Sequence, residues 1–143
     1  MATAAIRLPE ERAEQARKLA AHKGITVADL VGDLITSEIK RLGLGLQIGL
    51  GSIDIADLEN GQVHLDYGAG VHMWTKAQTL DVAQAIENAL ARKGGVLNMD
   101  AEIELGRVGV SVRLKNLNTN HERTLASSVA KELVALLRHH ANH

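Results

Sequence analysis

The stretch that decides the fold is ATAAIRLPEERAEQARKLAAHKG, residues 2–24. Its first part, residues 2–8, is short and alternates apolar with other side chains, which predicts a strand. Pro9 followed by Glu10 predicts a helix start, because proline needs no helical N–H partner there and an acid favours the positive end of the helix dipole. Gly24 predicts the end of that helix, since glycine readily adopts the left-handed conformation found there.

A second helix is predicted directly after this turn. Thr26, with Asp29 three residues later, has the spacing of an N-cap with an acidic capping box. Apolar residues then recur at helical spacing to about Leu42. They are Val27, Leu30, Val31, Leu34, Ile35 and Ile39. One strand and two helices of about forty residues are too few for an independent core, so this segment must dimerise or pack against the rest of the chain.

Strand and turn signals dominate the middle of the chain. Residues 43–51, GLGLQIGLG, predict a glycine-loosened hinge that runs into a strand. Asn60-Gly61 lies between two alternating apolar stretches and predicts a hairpin, while residues 71–74 allow a third short strand. Residues 75–91 carry the apolar spacing of a helix. We therefore predict a strand–strand–helix unit here.

The last part of the chain repeats this order. Residues 106–109 predict a turn between two strands, and a final helix is predicted from about residue 122 to 140. The fold class is thus α+β, with an N-terminal domain over residues 1–44 and an antiparallel ββαββα domain over residues 45–143. An offset of 47 residues superimposes the apolar positions of the two units, which leaves a true internal duplication open.

The composition excludes several functional classes. The 143 residues include no cysteine, which removes disulfides, thiolate metal sites and a cysteine nucleophile. One tryptophan, one tyrosine and no phenylalanine argue against a pocket that stacks bases on aromatic rings. The first residues show no signal peptide, and no apolar run approaches about 18 residues, so we expect no membrane association and a cytoplasmic location. The net charge of −1 limits any nucleic-acid interface to part of the surface.

The N-terminal segment resembles the ribbon-helix-helix family of DNA-binding proteins. The resemblance covers residues 2–42 and rests on Ala4–Glu11, Leu19, the turn Lys23–Thr26, and Ala28–Val31 at the start of the second helix. It implies that two chains pair their strands antiparallel into a ribbon that fits the major groove of double-stranded DNA. It further implies a homodimer, or a higher homo-oligomer, that acts as a sequence-specific transcriptional regulator, a repressor.

The same resemblance implies the residues that contact DNA. Those implied for the base edges are Thr3, Ala5 and Arg7, and those implied for the phosphates are Lys23, Thr26 and Val27. Arg7 could make a bidentate pair with guanine, Thr3 a hydrogen bond and Ala5 a contact with a thymine methyl group. The free N–H groups and the dipole at the start of the second helix would bind phosphate.

A second interpretation is a dimeric protein-interaction module. In this alternative the N-terminal segment only dimerises, and residues 45–143 bind a protein partner or a ligand, as in an antitoxin or an accessory protein of plasmids and conjugation. DNA affinity measured against ionic strength distinguishes the two, because phosphate contacts make binding strongly salt-dependent.

Metal sensing and catalysis receive less support from the sequence. The histidines with suggestive spacing are His64, His72, His121, His139, His140 and His143. Nickel-responsive regulators join a ribbon-helix-helix segment to a metal-sensing domain, but the ββαββα order predicted here differs from theirs. The glycine-rich residues 43–51 lack the G-x-G-x-x-G spacing of a phosphate loop. We therefore expect no metal, no cofactor and no enzymatic activity.

Overall fold

The computed structural model describes residues 5–142, apart from the side chains of residues 46 and 47. The helices are α1 (Glu10–Lys23), α2 (Val27–Leu42), α3 (Gly45–Ile48), α4 (Lys76–Leu90) and α5 (Ser127–Ala141). The strands are β1 (Asp54–Asp57), β2 (Val63–Asp66), β3 (Val71–Trp74), β4 (Val96–Asn98), β5 (Ile103–Val108), β6 (Ser111–Asn116) and β7 (Glu122–Leu125). Two antiparallel sheets have the orders β1-β2-β3 and β4-β5-β6-β7. The predicted α+β class with antiparallel sheets is confirmed.

The ends of α1 and α2 follow the local signals of the sequence. Gly24 adopts a left-handed conformation with φ of 68° and ends α1, and Gly43, with φ of 67°, ends α2 in the same way. At the start of α2, the side chain of Thr26 accepts a hydrogen bond of 3.1 Å from the backbone N–H of Asp29. These caps fix the tight turn between the two helices.

The predicted number of strands is wrong. The third strand allowed at residues 71–74 is present as β3, but the ββαββα order is not: three strands lie before α4, and four strands, β4 to β7, lie between α4 and α5. The predicted final helix began at about residue 122, but Glu122–Leu125 forms β7, in which Leu125 pairs with Val112 and is buried. Pairing with β6 determines the conformation of these residues, because the strand places the side chain of Leu125 on the buried face of the sheet.

The segment β3–α4 nevertheless matches the segment β7–α5 at a constant offset in residue number. Helices α4 and α5 both have 15 residues and start 51 residues apart, at Lys76 and Ser127, and β3 and β7 start 51 residues apart as well. Buried positions of α4 correspond at this offset to buried positions of α5: Thr79, Val82, Ala83 and Ile86 to Ala130, Leu133, Val134 and Leu137. The predicted offset of 47 differs by about one helical turn, so apolar positions coincide at both offsets.

The core lies where α4 and α5 pack against each other and against the inner faces of both sheets. Its aromatic part is a buried stack in which the His72 ring lies between the rings of Tyr67 and Trp74, at centroid distances of 5.6 and 4.6 Å. The Tyr67 hydroxyl is 3.1 Å from Nε2 of His72, and Nε1 of Trp74 donates to the carbonyl oxygen of Ala101 at 2.8 Å. The buried polar atoms of this stack are therefore hydrogen-bonded.

The N-terminal helices contact the rest of the chain through one face of α2, which packs on α5. Ser127 donates a hydrogen bond to Asp29 at 3.1 Å, and Lys131 lies 3.8 Å from Asp33. Between these contacts the helices approach closely at Gly32, where an added Cβ would lie 2.3 Å from Oγ of Ser128. This contact face determines which side of α2 remains uncovered. None of the helices described in residues 5–142 has the length and apolar character needed to cross a bilayer.

Candidate nucleic-acid interface

The segment that precedes α1 is extended and exposed. Residues 5–9 pair with no strand among the described residues, and the Ile6 side chain is 81% exposed although it is apolar. Of the residues predicted to read bases, Ala5 and Arg7 lie on this segment and are exposed. Thr3 lies outside the described residues. The segment therefore has an accessible backbone, which a ribbon between two chains requires.

Helix α2 carries an exposed apolar stripe on the side opposite α5. The face that packs on α5 contains Asp29, Gly32, Asp33 and Thr36. At 100° per residue the opposite face contains Val27, Val31, Leu34, Ile35 and Leu42, and all of these side chains are exposed. Leu34 and Ile35 are 57% and 52% exposed. A stripe of this kind normally faces a core.

The predicted phosphate contacts lie together at the turn between α1 and α2. Lys23 is the last residue of α1, Thr26 caps α2 and Val27 is its first residue, and all three are exposed. The first N–H groups of a helix have no partner within the helix, so they point outward here with the positive end of the dipole. No hydrogen bond or ion pair within residues 5–142 joins Arg7 to this turn.

A second cationic feature next to this turn was not predicted from the sequence. A shallow groove of about 660 Å³, called the basic groove below, lies between the loop after α4 and the β5–β6 turn. Its lining residues are Arg92, Gly94, Gly95, Arg107, Gly109 and Val110. The two arginines are 15 positions apart in the sequence, so no local motif announces the groove.

The histidines among residues 5–142 do not converge on a metal site. His72 is buried in the core, and burial lowers the pKa of its imidazole, whereas His64 lies on the neighbouring strand with its side chain on the other face of the sheet. His140 is engaged by Asp57, with Nδ1 and Oδ1 3.0 Å apart. His143 lies outside the described residues, and within them no three His, Asp or Glu side chains are placed to hold a metal ion.

Comparisons with known proteins give no further guide to the site. Family models, curated proteins and solved structures yield no match to this chain. The function must therefore be inferred from the geometry of α1, α2 and their surroundings.

Proposed function

We propose that the protein is a sequence-specific DNA-binding regulator, a repressor, in which two copies join their N-terminal segments as a ribbon-helix-helix dimer. The observation that carries this proposal is the exposed apolar stripe of α2, which lies on the side of the helix opposite the face that packs on α5. Acting on DNA, the protein would work in the cytoplasm.

A second copy of the chain is the partner that this stripe fits best. In addition to Leu34 and Ile35, the exposed apolar side chains of this region include Ile6, Leu8 and Leu19. Soluble monomers rarely leave such side chains grouped in water. A two-fold dimer brings the same patch of each chain together, so that each copy covers the other. Residues 5–42, which cannot form a core alone, would then share one.

Pairing of the extended segments would complete the interface. In a strand, alternate side chains point to opposite faces. If Ile6 and Leu8 turn toward the shared helices, Ala5 and Arg7 face outward, together with Thr3. The ribbon would carry an Arg7 from each chain, and a guanidinium can bind guanine through two hydrogen bonds in the major groove. The start of α2 in each chain would bind a phosphate on either side of this groove.

Selection of DNA from a random library tests this function. The full-length chain should enrich a palindromic sequence, because a two-fold dimer reads two equal half-sites. An Arg7→Ala variant should lose about 1–3 kcal/mol for each base pair that Arg7 reads, and twice that for the dimer. Lys76→Ala is the matched control, since it removes one charge from the first residue of α4, outside the N-terminal segment.

The outcomes separate this function from its alternative. Loss of preference with Arg7→Ala but not with Lys76→Ala supports base reading by the ribbon. A dimer that is not retained on DNA at low salt contradicts DNA binding and leaves a dimerisation module whose C-terminal domain binds a partner. An unchanged preference in Arg7→Ala removes this residue from its assigned role.

A further inference from the structure

The basic groove combines positive charge with a fixed shape. Arg92 and Lys93 are exposed in the loop after α4, and neither has an ion-pair partner within residues 5–142. No acidic residue lines the groove. Glycines allow the two turns that form its walls, since Gly94 and Gly109 have φ of 97° and 61°. A concave surface with this charge and no carboxylate is suited to an anion.

The second arginine that lines the groove, Arg107, is held in place by backbone oxygens. Its Nε donates to the carbonyl oxygen of Gly109 at 2.6 Å. Its Nη1 donates at 2.8 Å to the carbonyl oxygen of Leu90, the last residue of α4. The guanidinium therefore compensates the negative end of the α4 dipole. Its Nη2 makes no hydrogen bond within the described residues. A guanidinium that is already oriented loses little side-chain entropy when it binds an anion.

Close backbone packing sets the floor of the groove. A Cβ on Gly95 would lie only 2.7 Å from the carbonyl oxygen of Leu105, so this position requires glycine. The loop after α4 therefore lies close against β5, and Arg92 of this loop lines the same groove as Arg107. The two arginines come from the loop after α4 and from the end of β5, and their proximity depends on this contact.

The groove lies beside the start of α2. A smaller cavity of about 180 Å³ shares Arg107 and Val110 with the groove, and its lining also includes Ile25 and Asp29 from the α1–α2 turn. The carboxylates that line this cavity are engaged, Asp29 by Ser127 and Asp33 by Lys131. This cavity thus connects the basic groove to the α1–α2 turn at Ile25.

We propose that the basic groove binds phosphates of the DNA backbone, next to those bound at the start of α2. This inference rests on the proposed DNA-binding function and extends it to the C-terminal domain. Each DNA strand carries one phosphate charge for about every 3.4 Å of helix axis, so a surface that continues past one phosphate contact meets further ones. With one groove in each chain, the dimer would hold the backbone on both sides of the sequence that the ribbon reads. The groove adds affinity without sequence preference.

The salt dependence of DNA binding tests this proposal. An Arg92→Ala/Lys93→Ala variant is compared with the wild type and with Lys76→Ala/Lys115→Ala, which removes the same charge from the other end of α4 and from the outer face of β6. The DNA is the sequence selected by the wild type. Each lost phosphate contact reduces the magnitude of the slope of log Kobs against log salt by about 0.9. For the groove variant, the magnitude of this slope should therefore fall by roughly 2–4 per dimer. The control should keep the wild-type slope.

The length of the DNA provides a second, independent readout. Shortening the duplex to the selected sequence should weaken the wild type but leave the groove variant almost unchanged, because the variant no longer contacts the flanks. Equal slopes for the groove variant and the control, with a wild type that binds, would overturn the proposal while leaving the proposed function intact. A wild type that does not bind DNA would overturn both.

Inorganic pyrophosphate distinguishes a DNA backbone from a small phosphate ligand. In titrations without DNA, the proposal expects weak binding that disappears in moderate salt. Tight binding that is lost in Arg92→Ala/Lys93→Ala, together with an unchanged DNA slope, would assign the groove to a small phosphate compound and overturn a role in DNA binding.

Discussion

Removing the apolar stripe of α2 should dissociate the proposed dimer and leave residues 45–143 folded. We consider the double variant Leu34→Ser/Ile35→Ser, in which two side chains that are 57% and 52% exposed lose their apolar atoms. Full burial of such a side chain stabilises a protein by about 1.5–3 kcal/mol, so covering the exposed half contributes roughly 1 kcal/mol. Four such side chains per dimer give roughly 4 kcal/mol, which corresponds to a dissociation constant raised about 1,000-fold.

Sedimentation equilibrium over a wide concentration range measures this effect directly. The wild type should have twice the 15.3 kDa mass of one chain, and the variant should have the mass of one chain at the same concentrations. The matched control is Leu97→Ser/Met99→Ser, because these side chains are also exposed, by 60% and 70%, but lie in the C-terminal domain. Dissociation constants that differ by less than tenfold between variant and wild type, or an equal loss in the control, would refute the reasoning.

Three further predictions concern stability. Gly32→Ala should destabilise the packing of α2 on α5 by about 1–3 kcal/mol, since its Cβ would lie 2.6 Å from Cβ of Ser128; adding Ser128→Gly should restore much of this loss in denaturant unfolding. Thr26→Ala should cost about 1 kcal/mol by removing the cap of α2, whereas Thr26→Ser should not. Burial lowers the pKa of His72, so the unfolded chain binds a proton more readily; the free energy of unfolding should fall as the pH drops below about 6.5, and His72→Gln should reduce this dependence.

Local signals in the sequence predicted the helices better than the strands. Thr26 and Gly24 mark the turn between α1 and α2 because an N-cap and a left-handed glycine act within one helical turn. The strand β7 was missed because its conformation depends on pairing with β6, and residues 122–125 have no strong periodicity of their own. The short β4, residues 96–98, is likewise defined by its pairing with β5.

The residues of the candidate site also differ in whether local sequence alone could group them. Lys23, Thr26 and Val27 could be grouped from the sequence because a single turn contains them. The basic groove could not, because Arg92 and Arg107 meet only when the end of α4 packs beside the β5–β6 turn. The sequence also could not predict which side of α2 is exposed, since this depends on which face of α2 packs on α5.

Disulfide trapping of the N-terminal segment tests the ribbon most directly. The chain has no cysteine, so a single cysteine can be placed in turn at residues 5, 6, 7 and 8, with Asn142→Cys as an exposed control. Two chains that pair antiparallel about a two-fold axis bring only the residue nearest the axis within disulfide distance of its own copy. The ribbon predicts rapid cross-linking that peaks at one of these positions and falls on either side. Cross-linking that is equally slow at all four positions and in the control would contradict it.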